Sequence, residues 1–319
     1  MDLQQALDEA GLAPTGVEVT SLFTMKSSLT RLEDKQGKQY ILKRIPPTYF
    51  KLCSEEAYFQ GLSYFMGHLR PHIPLVHYNQ ENGVIQVRDG YILYPFVEGN
   101  LFSGSLKEVK SIAKVHAKMN KVLATMDQNK VDFIKSNCFL RQDHPQVLLK
   151  EAKEKVQNIL TETTKAFVNI LPLLEQYVDC ADYGSITRQV THKDIFPGNV
   201  IFKNNEVVSI IDPDEMMYIP RARDVMYAMW GFATRRPPRK GVFLPDMERV
   251  KTYFTEYMQH DPLTDEEIKL LPSIAIRIWV EDVLHFTLSS SLDDQALPDM
   301  QRKIRHLQHA IEVKDDYKL

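Results

Sequence analysis

One segment of the sequence constrains the fold more than any other, namely residues 186–212, where short apolar runs alternate with polar loops. The apolar runs at 200–202 and 207–211 flank Asn204-Asn205-Glu206, a pattern that predicts a β-hairpin. The stretches before and after this segment have the apolar spacing of helices. The larger part of the chain is therefore predicted to be helical, with one short hairpin inside it.

The first hundred residues are patterned differently and predict a small sheet with one main helix. Apolar residues three or four positions apart between residues 52 and 66 predict this helix, and a shorter helix is expected at 2–10. Asp89-Gly90 between two alternating runs is typical of a two-residue hairpin turn. The predicted strands are at 17–24, 28–34, 39–45, 84–88 and 91–94.

Beyond this region the alternating apolar pattern of strands ends, and most of the sequence has the apolar spacing of helices. Ser105 and Glu108 form a capping box, which predicts the start of a helix that continues to about residue 125. A long helical stretch follows at 146–178, and a break is expected near Pro172. Two more helices are predicted, near 264–290 and 298–314.

Pro95 and Gly99 lie where the strand pattern gives way to the helix pattern, and they predict a linker between two parts of the chain. The sequence thus predicts an α+β protein, with an N-terminal part at 1–97 and a larger, mainly helical C-terminal part at 98–319. Ligands tend to bind where two such parts meet.

The residues that carry chemistry lie at both ends of the predicted hairpin. Asp194 follows His192 in a His-x-Asp motif, Asn199 comes five residues later, and Asp212 comes after the hairpin. Phosphoryl transfer needs a carboxylate that orients and deprotonates the attacking hydroxyl, and hard oxygen ligands that hold Mg²⁺ on nucleotide phosphates. Asp194 fits the first task, and Asn199 and Asp212 fit the second. The alternative is an ordinary polar loop in which Asp194 caps a helix.

This pattern resembles the aminoglycoside-phosphotransferase-like, or choline-kinase-like, branch of the protein-kinase superfold. The catalytic loop of that branch reads His-Gly-Asp-x-x-x-x-Asn and is followed by Ile-Asp-x-[Asp/Glu], which here is Ile211-Asp212-Pro213-Asp214. Type II homoserine kinases and the kinase-like spore-coat proteins of the same branch are also similar.

The resemblance implies a two-lobe, protein-kinase-like fold whose small N-terminal lobe holds the antiparallel sheet and whose C-terminal lobe is mainly helical. It also implies a small-molecule kinase that uses ATP and Mg²⁺ and phosphorylates a hydroxyl group. The implied acceptor is an aminoglycoside, an amino alcohol, a sugar or a homoserine-like compound.

The resemblance also implies which residues bind the nucleotide. Lys43 matches the strand lysine of the family, which pairs with the nucleotide phosphates. Glu55 or Glu56 matches the helix glutamate that pairs with this lysine, and Glu55 is preferred because it lies on the apolar face of its helix. The alternatives are a solvated strand lysine and a solvated helix carboxylate.

The segment Leu93-Tyr94-Pro95-Phe96-Val97 matches the interlobe hinge of the family, whose backbone would hydrogen-bond adenine. Tyr94, Phe96 and Val97 are therefore expected to contact the nucleotide. The alternative is a plain linker.

The sequence departs from the family pattern in three places. The loop expected to cover the nucleotide, at 21–32, has no glycine, so Ser27 and Ser28 are expected to donate hydroxyl groups to the phosphates instead. Lys193 replaces a glycine, and Pro213 replaces a phenylalanine. These departures leave open an alternative function, a catalytically weak or inactive pseudokinase that binds nucleotide or acts as a spore-coat-like scaffold.

Composition narrows the range of partners. The 39 Lys and Arg against 42 Asp and Glu give a formal charge of −3, a balance that argues against non-specific binding to nucleic acid. No stretch approaches 18 uncharged apolar residues, and the N-terminus lacks the features of a signal peptide. Three widely spaced cysteines fit inert thiols in a reducing compartment. We expect a cytoplasmic monomer or homodimer that binds no membrane.

Overall fold

The computed structural model describes residues 17–18, 29–33, 37, 39–45, 54–73, 85–87, 91–137, 145–181, 183–184, 186–234 and 245–317. The predicted helix at 2–10, the loop with Ser27 and Ser28, and the turn at Asp89-Gly90 lie outside these residues. The chain divides into two compact units, Met1–Leu140 with Gln189–Ile219 and Arg141–Arg188 with Pro220–Leu319. The predicted boundary after residue 97 stays a prediction.

The first unit contains a five-stranded antiparallel sheet. Its strands are β1 (Val17–Glu18), β2 (Leu29–Glu33), β3 (Gln39–Arg44), β4 (Ile85–Val87) and β5 (Tyr91–Pro95). They lie in the order β1-β2-β3-β5-β4, so β3 is central, with Lys43 opposite Leu29 on one side and Ile92 on the other. Four of the five predicted strands are confirmed to within two residues, and the first is described only at 17–18.

The helices described in this part of the first unit are α1 (Glu55–Leu69), α2 (Leu106–Leu123) and α3 (Gln128–Asn137). Ser54 caps α1 by accepting a hydrogen bond from the Ala57 N–H, and Phe59, Leu62 and Met66 of the predicted apolar face are buried. The predicted capping box of α2 is confirmed, because Ser105 and Glu108 each accept from the other's backbone N–H.

Two small strand pairs, of which β7–β8 is antiparallel, carry the polar segment. β6 (Arg188–Thr191) pairs with β9 (Met217–Pro220), and β7 (Val200–Lys203) pairs with β8 (Glu206–Ile210). Asn204 and Asn205 connect β7 to β8 with φ angles of 55° and 66°, the left-handed conformation that a two-residue type I′ turn requires. The hairpin predicted at this point is confirmed.

The second unit is helical. Its helices are α4 (Pro145–Val156), α5 (Glu162–Tyr177), α6 (Arg221–Ala233), α7 (Met247–His260), α8 (Asp265–Ser289) and α9 (Leu297–Glu312). None of the described helices is both long enough and apolar enough to cross a membrane. Together with the sheets of the first unit, these helices confirm the predicted α+β class.

The break predicted near Pro172 is wrong, because Pro172 lies inside α5 and the helix boundary falls earlier in the chain. α4 ends at Val156, and α5 begins after Thr161, which forms a capping box with Thr164. Pro172 is on the solvent-exposed side of α5. Water can therefore solvate the backbone carbonyl that loses its N–H partner, and the helix tolerates the proline.

Candidate active site

The β7–β8 hairpin brings the two predicted metal-binding positions together. Val200 pairs with Ile210 at the open end of the hairpin, and the Ile211 N–H donates to the Asn199 carbonyl at 2.9 Å. Asn199 and Asp212 therefore flank the same end of one antiparallel ladder, although thirteen residues separate them. Antiparallel pairing alone explains this proximity, since a hairpin returns the chain to its starting point.

The predicted base, Asp194, is held by Asn199. The Nδ2 atom of Asn199 donates to Oδ2 of Asp194 at 2.7 Å and to the Asp194 carbonyl at 3.0 Å. The loop can turn this sharply because Gly198 has no side chain, since a Cβ there would lie 2.7 Å from the Phe196 ring. Because Nδ2 is directed at Asp194, Oδ1 is the atom of Asn199 that could ligate a metal ion.

Lys43 binds the carboxylates that follow the hairpin. Its Nζ atom contacts Oδ1 of Asp212 and lies 2.5 Å from Oδ2 of Asp214. The lysine is 5% exposed and Asp214 is 2% exposed, so this is a buried cluster of one cation and two acids. The lysine of β3 thus contacts the segment after β8, and its role in binding phosphate stays a prediction.

The charged groups of this cluster shift one another's pKa values. Burial opposes the charged form of Lys43, but Asp214 and Asp212 outweigh it and hold the lysine pKa above its ordinary value. Burial also opposes ionisation of Asp212, yet the ammonium of Lys43 keeps the Asp212 pKa below its usual value. Burial raises the pKa of Asp214 to about 7, against the lowering effect of Lys43 and with a further rise from Asp212. The second acid is thus the weaker one.

Two further side chains surround the cluster. Tyr94 of β5 is buried, and interaction with it favours the charged form of Lys43, raising the lysine pKa slightly further. His192 is fully buried, its ring lies 6.1 Å from the ring of Phe65, and its interaction with Asp212 contributes to the lowered pKa of that carboxyl. Tyr94 therefore reaches the site with its side chain, whereas the sequence predicted only a backbone contact.

The oxygen donors present suit a hard divalent cation. Asn199 supplies an amide oxygen and Asp212 a carboxylate, and Oδ1 of Asp214 is buried without a hydrogen-bond partner in the part of the chain that the structure describes. Mg²⁺ binds through few protein oxygens and keeps several waters. No group of three or more His, Cys, Asp or Glu side chains able to hold a metal occurs among the described residues. The set fits magnesium and does not fit a zinc site.

The structure thus links four predicted residues through direct contacts or one backbone bond, namely Asp194, Asn199, Asp212 and Lys43. Glu55 is the first residue of α1, and its pairing with Lys43 stays a prediction. Ser27 and Ser28 lie outside the described residues. Sequence reasoning missed Asp214 as a partner of Lys43, although the family pattern Ile-Asp-x-[Asp/Glu] was a signal for it.

The predicted hinge continues the sheet instead of being a plain linker. The Phe96 N–H donates to the Gln39 carbonyl at 2.9 Å, so this donor is already engaged. The Phe96 ring is 38% exposed and lies 4.4 Å from the guanidinium of Arg31. If the hinge binds adenine, the next N–H along the chain, that of Val97, is the expected donor.

Comparison with known proteins decides the family. A model of the phosphotransferase enzyme family (APH) matches residues 27–247, which is more than half of the chain and includes the whole linked site. The chain belongs to this family. This APH phosphotransferase has no significant match among curated proteins.

Solved structures share the fold of this APH phosphotransferase at low sequence identity. An amicoumacin kinase in complex with AMP-PNP and Ca²⁺ is 15% identical, with 97% of this chain and 94% of that chain covered and a TM-score of 0.67. Spectinomycin phosphotransferase in complex with ADP and spectinomycin is 15% identical, with 100% and 99% covered and a TM-score of 0.63. Plasmodium vivax ethanolamine kinase is 13% identical, with 98% and 86% covered and a TM-score of 0.60.

These findings confirm the predicted family, the kinase-like fold and the enzyme class, a phosphotransferase of the small-molecule kinase type. The roles of individual residues rest on the contacts described above.

Proposed function

We propose that this protein is an ATP- and Mg²⁺-dependent phosphotransferase that acts on a hydroxyl group of a small molecule. The observation that carries the proposal is the continuous set of contacts from Asp194 through Asn199 to Asp212 and Lys43. These four residues lie in one compact unit and would supply a base, metal ligands and a phosphate-binding cation. Phosphoryl transfer uses these three kinds of group and little covalent chemistry from the protein.

Asp194 is the proposed base, since its carboxylate would accept the proton of the acceptor hydroxyl as the hydroxyl oxygen attacks. The hydrogen bonds from Asn199 hold this carboxylate in one orientation. Asn199 and Asp212 would hold Mg²⁺ through oxygen atoms, and Lys43 would pair with the nucleotide phosphates. When bound, Mg²⁺ would neutralise charge on those phosphates.

The nucleotide-binding part of the proposal extends along the sheet. Tyr94 borders Lys43, and the backbone of Phe96 and Val97 continues the same strand toward the predicted adenine position. Glu55 is proposed to pair with Lys43 when phosphates draw the lysine away from its two carboxylates. Ser27 and Ser28 are proposed to contact the phosphates from the loop ahead of β2.

The acceptor class is proposed from the names of the similar structures. Those proteins are named for spectinomycin, amicoumacin and ethanolamine, all small molecules. We therefore propose an acceptor of the aminoglycoside, amino alcohol, sugar or homoserine-like type.

The test is a screen for phosphate transfer from radiolabelled ATP to these four acceptor classes, with and without Mg²⁺. Labelled GTP in parallel tests the choice of nucleotide. Asp194→Asn serves as the matched inactive control, because the amide keeps the shape of the carboxylate and still accepts a hydrogen bond from Asn199. Transfer by the wild type and not by the control supports the proposal. Tight ATP binding without any transfer would overturn it and support the pseudokinase alternative.

A further inference from the structure

Lys193, the residue immediately before Asp194, adopts an unfavourable backbone conformation. Its φ angle is 66°, in the left-handed region where a side chain is strained and glycine is not. The related family pattern has glycine at this position. A lysine here destabilises the loop relative to glycine, and such strain at a site is retained when the side chain makes a compensating contact.

The contact of Lys193 is an ion pair. Its Nζ atom donates to Oε2 of Glu215 at 3.0 Å, and the two side chains are 19% and 35% exposed. Glu215 ends the short 3₁₀ turn Pro213–Glu215, which follows directly from Asp212. Asp212 is itself left-handed, with a φ angle of 62°. Both segments that carry the site chemistry therefore contain one strained residue that is not glycine.

The ion pair joins the same two segments as the backbone bond from Ile211 to Asn199. That bond lies before Asp212, and Glu215 lies after it, so the two links bracket the metal-binding carboxylate. In the segment that contains Asp194, the backbone bond is made by Asn199 and the ion pair by Lys193. These two residues lie on either side of Asp194 in the sequence. The backbone bond continues the β7–β8 ladder on one side of Asp194 and Asp212, and the ion pair adds a link on the other side of both residues.

We propose that Lys193 and Glu215 are positioning residues, which fix the direction of the Asp194 carboxylate relative to Asp212. The proposal rests on the proposed phosphotransfer. The pair would act on the rate of the chemical step, because a base displaced by about 1 Å loses on the order of a hundredfold in rate. It would have little effect on substrate binding, since neither residue is placed among the groups that bind nucleotide.

The experiment compares Lys193→Gly, Glu215→Gln and the charge swap Lys193→Glu/Glu215→Lys with the wild type. Glycine suits the left-handed backbone, so Lys193→Gly should unfold at the same or a higher urea concentration. Its kcat for the acceptor found in the screen should nevertheless fall roughly 10- to 100-fold, with KM for ATP within about twofold. Glu215→Gln should show the same loss, and the swap should recover most of it.

A second readout does not depend on activity. The side-chain amide of Asn199, which donates to Asp194, can be followed by NMR in protein labelled with ¹⁵N-asparagine. Its resonance should move in Lys193→Gly and Glu215→Gln and return in the swap. A matched control is Lys203→Met, which removes the exposed ion pair with Glu98 and should leave the resonance unchanged.

Several results would overturn the inference. The first is that Lys193→Gly keeps the wild-type kcat. The second is that Lys193→Gly loses kcat while Glu215→Gln does not. The third is that the loss of kcat is accompanied by a fall in the urea midpoint of unfolding. A wild type that transfers phosphate to no acceptor would instead overturn the proposed function. In that case an unmoved Asn199 resonance would also count against the positioning pair, and a moved one would support it.

Discussion

The side-chain amide of Asn199 donates hydrogen bonds to both the carboxylate and the backbone carbonyl of Asp194, at 2.7 and 3.0 Å. The candidate base is thus oriented before any substrate binds. Such preorganisation removes part of the cost of arranging reacting groups in the transition state. In the proposed mechanism Asn199 would have two tasks, since its amide nitrogen orients the candidate base and its amide oxygen would bind the metal ion.

Replacing Asp194 by Asn should lower kcat by roughly 10²-fold or more, the usual contribution of a general base. The urea midpoint and the affinity for ATP should stay near their wild-type values, because the new amide oxygen still accepts from Asn199. Initial rates on the acceptor found in the screen, with urea unfolding monitored in parallel, provide the measurement. Wild-type turnover in this variant would exclude Asp194 as the base.

Asp212→Ala and Asn199→Ala should each raise the Mg²⁺ concentration needed for half-maximal rate. The effect of Asp212→Ala should be larger, because a carboxylate binds a hard cation better than an amide does. Titration of the rate with Mg²⁺ at saturating ATP measures this, and Asn169→Ala on the exposed face of α5 is the control. An unchanged Mg²⁺ requirement in both site variants would remove them from the proposed metal site.

Lys43→Met should lower the free energy of unfolding by about 3–5 kcal/mol at neutral pH, because it leaves two buried carboxylates without their cation. Without the lysine, burial is expected to raise the folded-state pKa of both Asp212 and Asp214 above that of the unfolded chain. The loss should therefore shrink as the pH falls and these acids take up protons, and it should grow as the pH rises.

Urea unfolding at pH 5 and pH 8 checks the sign of this dependence. Lys203→Met is the matched control, since the exposed pair of Lys203 with Glu98 should contribute less than about 1 kcal/mol at either pH. A loss in Lys43→Met that is the same at both values of pH would contradict the buried cluster.

Gly99→Ala should lower the free energy of unfolding by about 1–3 kcal/mol, the usual cost of overpacking. The added Cβ would overlap Cγ2 of Ile201 and lie 2.7 Å from the Phe202 carbonyl oxygen, and the backbone of Phe202 is fixed by paired hydrogen bonds with Asn100. Gly67→Ala is the contrast, because nothing lies within 4 Å of that position in α1. It should stabilise the protein by about 0.5–1 kcal/mol. Equal effects of the two changes in urea unfolding would contradict the close approach at Gly99.

Local sequence patterns were sufficient to predict most of the described elements and the grouping of three residues of the candidate site. The hairpin follows from two apolar runs around Asn204-Asn205, and a hairpin necessarily brings the residues at its two ends together. Asp194, Asn199 and Asp212 could therefore be grouped from spacing and chemistry alone. The one helix boundary that was predicted wrongly, near Pro172, failed because a proline on an exposed helical face loses a hydrogen bond that water replaces.

The amino-acid sequence by itself determined where strands, turns and helix caps form, because turn residues and capping boxes act within a few positions along the chain. Only the tertiary structure decided that Lys43 meets both Asp212 and Asp214, residues 169 and 171 positions away. The same holds for the pair of Lys193 with Glu215, whose residues lie in separate segments. Contacts of this kind depend on how strands and loops pack, and burial then strengthens the electrostatic interactions that the packing creates.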